Sequence, residues 1–174
     1  MKRKESGSVG KARRTGEDVQ YIAFYLMNEL YGVPVLKVQE ITGMTTITSL
    51  SDVQPFVKGI INLRGVPVPV LDMRLKFNLI EAEYTNFTVI IIIEFRERLL
   101  GMIVDSVSDI LSIRIKSMDE MPSFRTKINS EYIQGIGEKG ESAVIILDSD
   151  RILTSNEFEL IYKFSEIAQT PSQR

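Results

Sequence analysis

The side chains available for chemistry are restricted at once. The 174-residue chain has no histidine and no cysteine. The commonest general base, the commonest metal ligand and all thiol and disulfide chemistry are therefore missing. Carboxylates remain. Asp105 and Asp109 are spaced i, i+4, but on the strand expected there they lie on one face about 13 Å apart, too far for an acid–base dyad. "GIGEKGES" at 135–142 contains three glycines, yet no helix follows to hold a phosphate, so it reads as a hairpin turn. Neither a P-loop nor a dinucleotide fingerprint occurs. These exclusions leave contact, rather than catalysis, as the chemistry to look for. No metal and no cofactor is expected.

One side chain stands out for contact. In "FVKGIINLRGVPVPVLD" (56–72) Arg64 lies between Leu63 and Gly65, inside an apolar run. A permanent charge there is costly unless it is paired or exposed. Arginine suits interfaces because charge, fork geometry and an apolar stem share one side chain. Gly65 lets a partner approach the backbone, and Asn62 can donate and accept nearby. The alternative is internal pairing of Arg64 with Glu40 or Asp72. A second candidate surface is "VDSVSDIL" (104–111), where Val107 and its small neighbours could form a flat apolar patch.

The elements that must position these residues are mostly short strands. "VQYIAFYLMN" and "LYGVPVLKVQEI" read as two strands, with Pro34 marking an edge or a bulge. "TSLSDVQP" (48–55) is a loop. "FVKGIINLRG" and "VPVPVLD" are two strands joined by a turn at Arg64-Gly65, and Pro67 and Pro69 suggest an edge. "FTVIIIIEF" (87–95) is a buried strand, and 97–115 supplies one or two more. A long connection spans 117–131. A hairpin with its turn at 137–140 follows. "TSNEFELIYKFSEIAQ" is a helix opened by the Thr154–Glu157 capping box, with Leu160, Ile161, Phe164, Ile167 and Ala168 on one face.

The sequence resembles itself weakly. A shift of 69 lays "YGVPVLKVQEI" on "LGMIVDSVSDI", so that Val38 meets Val107, Glu40 meets Asp109 and Ile41 meets Ile110. A shift of 76 lays "FVKGI" on "YIQGI" and "VPVLD" on "VIILD". Such recurrence implies one unit built twice, hence two similar small barrels. Asp72 and Asp148 recur and read as caps rather than acids. Arg64 has no counterpart in the second copy.

Charge is uneven. Residues 1–18 hold six basic and three acidic side chains, and the rest holds fifteen basic and twenty acidic ones. The first eighteen have little to bury and read as a disordered basic tail; contact with acidic lipid or nucleic acid is the other reading of it. The acidic body and the lack of tryptophan argue against a nucleic-acid-binding barrel. The densest apolar run, "VIIII" at 89–93, is far too short to span a bilayer.

At "KVQEI…FVKGIINLRGVPVPVLDMRLKF…GMIVDSVSDIL…YIQGIG" the sequence resembles the CheW-like family of bacterial chemotaxis coupling proteins. The resemblance covers about residues 19–168, and its N-L-R-G followed by P-V-[LIV]-D-x-R is specific. It implies a mostly β fold of two SH3-like barrels, here expected at about 19–85 and 86–153, with a helix at 155–168 and a flexible end at 169–174. It implies a cytoplasmic, non-catalytic adaptor recruited to membrane-associated receptor arrays. Its partners would be the cytoplasmic hairpin tip of a chemoreceptor and the regulatory domain of the CheA histidine kinase, with no nucleic acid and no membrane insertion. The receptor-facing groove would use Val38, Glu40, Asn62, Arg64, Gly65, Val107 and Ile110. No motif fixes individual kinase contacts. A stand-alone kinase-regulatory domain of the same fold is the nearest rival.

Overall fold

In the computed structural model, residues 18–169 are described. The basic tail and the chain end expected to be flexible lie, apart from residues 18 and 169, outside them. Ten strands form: β1 (Val19–Leu26), β2 (Glu29–Pro34), β3 (Val38–Gly43), β4 (Val57–Leu63), β5 (Val66–Asp72), β6 (Val89–Phe95), β7 (Arg98–Val104), β8 (Ser106–Ile113), β9 (Ile133–Lys139) and β10 (Ser142–Leu147). A one-turn helix α1 (Met73–Lys76) follows β5, and α2 (Ser155–Gln169) ends the described chain.

Two five-stranded sheets result. Barrel I has the order β8-β1-β2-β10-β9, and barrel II has β3-β6-β7-β5-β4. The repeat is visible in these orders. If β1–β5 and β6–β10 are two copies of one unit, each barrel takes the first hairpin of one copy and the last three strands of the other. The copies have exchanged hairpins. Contiguous lobes at 19–85 and 86–153 are therefore corrected: barrel I combines 19–34 with 106–147, and barrel II occupies 38–104. Parallel pairing performs the exchange, with Tyr31 opposite Ile145 in barrel I and Leu71 opposite Met102 in barrel II.

Alternation along each strand builds three cores. Tyr21, Ala23, Val144 and Ile146 fill barrel I, and Ile61, Val70, Ile90 and Ile92 fill barrel II. The intervening residues, Ile22, Phe24, Ile91, Ile93, Leu71 and Ile145, belong to a larger core shared by both barrels. This explains the unbroken "VIIII": β6 is covered on both faces. Each fully buried isoleucine contributes about 2 kcal/mol by area.

Each barrel closes at one bridge. Thr48 and Ile60 exchange two backbone hydrogen bonds of 2.8 Å, and Lys116 and Ile136 repeat the arrangement at the same lengths. Gly59 has φ +142, and a β-carbon there would sit 2.0 Å from the Thr48 carbonyl oxygen; at Gly135 the equivalent approach is 2.7 Å to Lys116 O. The backbones can meet only where side chains are absent.

Local expectations hold or shift for stated reasons. The Asp72 carboxylate accepts from the backbone N–H groups of Arg74 and Leu75, and Asp148 accepts from Asp150 N–H, so both are caps. The Thr154–Glu157 box is reciprocal, at 2.9 and 3.1 Å. The buried face of α2 centres on Ile161, Tyr162 and Ser165 with Phe158 packed beside them, while Leu160 and Phe164 are half-buried. The side chains of Ile167 and Ala168 lie outside the described residues. Residues 30–41 are not one strand: Pro34 ends β2 and a 3-10 turn at Val35–Lys37 leads into β3. Pro67 and Pro69 pair with β4 only, because β7 begins pairing at Val70. β5 is an edge for its first half and interior for its second. The last hairpin turns at Gly140-Glu141, between Lys139 and Ser142, rather than at 137–140.

Candidate functional site

Arg64 and Gly65 are the two central residues of the β4–β5 hairpin, whose last register pair is Leu63 with Val66. Their φ values are +51° and +88°. Positive φ at both central positions is the signature of a type I′ turn, whose twist matches the flanking strands. Arginine in this region is disfavoured by about 1 kcal/mol. Asn62 offsets this: its Oδ1 accepts a 2.7 Å hydrogen bond from the Gly65 N–H.

The turn projects the Arg64 side chain outward, where it is 73% exposed. Its Nη2 donates to Glu40 Oε1 at 2.6 Å and its Nη1 reaches Oε2 at 3.5 Å. The fork thus joins β4 to β3, the two edge strands of barrel II, just beyond the Thr48–Ile60 bridge. Hydrogen bonding from the guanidinium holds the Glu40 carboxyl below the ordinary glutamate range, and the carboxylate raises Arg64 in turn. Of the two internal partners considered, Glu40 is the one found; Asp72 is buried and occupied by α1 and by the Tyr84 hydroxyl at 2.7 Å.

Barrel I has an equivalent. Lys139 Nζ donates to Asp109 Oδ2 at 2.8 Å, joining β9 to β8 across the matching seam. Asp109 is lowered and Lys139 raised, each chiefly by that hydrogen bond. The expectation that Arg64 lacks a counterpart is corrected. The counterpart is displaced by one position, because the second hairpin places glycine first in its turn, with φ +61° at Gly140. The alignment of Glu40 on Asp109 already carried half of this signal.

The other candidates divide between the barrels. Val38 starts β3 and packs on the shared core. Val107, on edge strand β8 opposite Phe24, packs on the same core. Ile110, opposite Ile22, is 60% exposed. So Glu40, Asn62, Arg64 and Gly65 share one rim of barrel II, Val107 and Ile110 lie on barrel I, and the two groups meet through the core that Val38 and Val107 both touch. Asp105 and Asp109 do not share a strand face. Asp105 lies between β7 and β8, where Arg74 grips it.

Two features escape the sequence reading. Leu36 is 86% exposed on the 3-10 turn that precedes Val38; within an apolar strand-like run it gave no signal. The Arg74–Asp105 pair joins segments about thirty residues apart, and nothing in either segment announces it. Among the described residues no cluster of three acidic side chains is arranged to hold a metal ion. None of their helices is long and apolar enough to cross a membrane.

Comparison with known proteins gives a consistent answer. The sequence profile of the CheW-like domain matches residues 20–157. The chain is 38% identical over 158 residues to the chemotaxis protein CheW of Klebsiella aerogenes, covering 90% of this chain and 95% of that one. It is 33% identical over 140 residues to chemotaxis protein CheW of Bacillus subtilis, covering 80% and 88%. The crystal structure of the scaffolding protein TtCheW from Thermoanaerobacter tengcongensis superposes with a TM-score of 0.73 at 29% identity, covering 80% of this chain and 95% of the other.

Proposed function

The chain belongs to the CheW-like domain family, and on that premise we propose that it is a non-catalytic adaptor of a chemotaxis apparatus. It couples the cytoplasmic hairpin tips of chemoreceptors to the CheA histidine kinase, from the cytoplasmic side of receptor arrays. The names of its relatives support the chemotaxis and scaffold parts of this reading. The receptor and kinase parts extend it.

The observation that carries the proposal is the exposed Arg64–Glu40 fork. Barrel II is already closed by the Thr48–Ile60 backbone bridge, and an exposed ion pair adds little to stability. The guanidinium is nonetheless pre-positioned by a left-handed turn and an Asn62 brace. A side chain held in one place at the surface meets a partner at low entropic cost. Its remaining N–H groups suit a carboxylate or carbonyl on a receptor helix, and Glu40 keeps the fork oriented until it is engaged. Val38 on barrel II, with Val107 and Ile110 on barrel I, would supply the apolar part of the contact.

An adaptor of this kind acts by linkage. It raises the effective concentration of receptor and kinase for each other, and it passes a signal only if two receptor states engage it differently. The test is kinase activity reconstituted with receptor-containing membranes and this protein. Arg64→Ala is expected to keep the fold and to weaken receptor-dependent activation by about tenfold or more. Normal activation by the folded variant rejects Arg64 as a contact.

A further inference from the structure

The exchange of hairpins forces the chain to cross between barrels twice. It passes from barrel I to barrel II at Val35–Lys37, between β2 and β3, and returns at Asp105, between β7 and β8. The repeat makes these crossings equivalent, with Leu36 standing where Asp105 stands. They are fastened very differently.

At the return crossing, Asp105 is a hub. Its backbone N–H donates to Tyr25 O at 3.0 Å, and its Oδ2 accepts from the Met27 N–H at 2.7 Å. Both bonds tie it to the β1–β2 hairpin of barrel I. Arg74, which follows β5 of barrel II, donates Nε to Asp105 Oδ1 at 2.9 Å and Nη2 to Oδ2. Its Nη1 donates to Ile80 O at 2.9 Å. The pair is 18% and 29% exposed. One carboxylate therefore holds both barrels, in a bidentate geometry that fixes direction as well as distance.

At the outward crossing the pair has its charges reversed and one partner displaced by a position, since Leu36 holds the place of Asp105 and Lys37 follows it. Asp150 stands where Arg74 stands under the 76-residue shift, and Lys37 approaches it at a single point, 3.5 Å away. This pair is 35% and 65% exposed, so solvent screens it. Leu36 has no polar group to repeat what Asp105 does. What spans the joint on this side is α2: it follows barrel I in sequence and packs on β5 and β4 of barrel II. Tyr162 donates its hydroxyl to Leu99 O at 2.6 Å, and Lys76 meets Glu157 at 3.0 Å.

We infer that Arg74 and Asp105 are positioning residues: their clasp sets the orientation of barrel I against barrel II, while Lys37–Asp150 has no such role. The inference deepens the function proposed above, because Val107 and Ile110 lie on β8, which begins at this clasp, whereas Arg64 and Glu40 lie on the other barrel. The clasp then determines how the two halves of the contact surface face a receptor, without touching it.

The chain has no cysteine, so spin labels can be placed at will. Nitroxides on Glu97→Cys in barrel II and Glu141→Cys in barrel I, both exposed, report the inter-barrel distance by pulsed electron resonance on the full chain, without receptor. A narrow distribution is expected for the labelled parent and for Lys37→Ala. Arg74→Ala is expected to broaden it while amide protection inside each barrel persists, and Arg74→Lys to recover part of the narrowing. If Arg74→Ala does not fold, Arg74→Lys and Asp105→Asn carry the same comparison. A distribution unchanged by loss of the clasp, or broadened equally by Lys37→Ala, overturns the inference. Because no receptor is present, this result is independent of the Arg64 experiment: either can fail while the other stands.

Discussion

In barrel I a lysine on β9 meets an aspartate on β8; in barrel II an arginine one position further on meets a glutamate on β3. The seams match, the strand orders match, and the closing bridges match atom for atom. The difference lies in the turn. Lys139 is the last residue of its strand, and a glycine takes the strained position after it. Arg64 itself occupies the strained position, 73% exposed against 38% for Lys139. A pair across the seam is thus a property of the architecture, whereas a guanidinium raised above it is a property of one barrel only. By alignment alone Arg64 is unique; by contact its pairing is shared, and only its elevation is special.

The largest difference expected between the barrels is at their closures. Gly59→Ala drives a β-carbon into the Thr48 carbonyl at a positive φ, and is expected to cost about 3 kcal/mol or more in urea unfolding. Gly135→Ala has more room, 2.7 against 2.0 Å, and should cost about half as much. Equal losses would mean that the barrels close under equal strain.

The next largest difference concerns Lys76. It is buried, its Nζ lies 4.5 Å from the Phe56 ring centre, and it meets Glu157. Its counterpart in the repeat is Ile152, also buried. Lys76→Ala is expected to destabilise by about 3 kcal/mol, since it leaves a cavity and a partly buried unpaired carboxylate. Lys76→Ile, which copies the other barrel, should cost clearly less, because the isoleucine refills the cavity, while Glu157 loses the same partner in both variants and keeps its bond to Thr154 N–H. The same urea midpoints test both.

Smaller effects separate the two seams. Arg64→Ala and Lys139→Ala are both expected to leave the thermal midpoint within error, while only the former lowers receptor-dependent kinase activation. The smallest effect is in titration. Glu40 and Asp109 both have folded values below their ordinary ones. A lowered carboxylate contributes stability that is present above its unfolded value and is lost as the pH falls through its folded one. Carboxyl carbon NMR should show both groups still ionised where exposed carboxylates are half protonated, and Lys139→Ala should release Asp109 alone.

Much of this architecture was legible in the residues. Alternation and β-branched runs gave the strands, Asp72 and Asp148 gave the caps, and the 69- and 76-residue shifts gave the repeat. The exchange of hairpins was not legible, because periodicity states which side chains are buried and not which strand buries them. The parallel pairings that perform it join β2 to β10 and β5 to β7, and nothing local encodes such partners. Within the candidate site, Arg64, Asn62 and Gly65 were legible from the turn they form, and Glu40 was one of two partners considered. Leu36 was not, since a strand-like run hides a 3-10 turn. The proline signal was half right, because β5 is a free edge only until Val70.

Exchanged hairpins also affect the order of events on the ribosome. Barrel II occupies a continuous stretch ending at Val104, so it can finish folding while the chain is still growing. The β1–β2 hairpin emerges first yet must wait for β10, which ends at Leu147, a delay of roughly ten seconds at ordinary rates of synthesis. Until β8 ends at Ile113 both of its long edges lack permanent neighbours, and from then until Leu147 the β2 edge still does; the completed barrel II beneath Ile22 and Phe24 is the surface available to shelter them. A slowly translated message should therefore penalise barrel I more than barrel II.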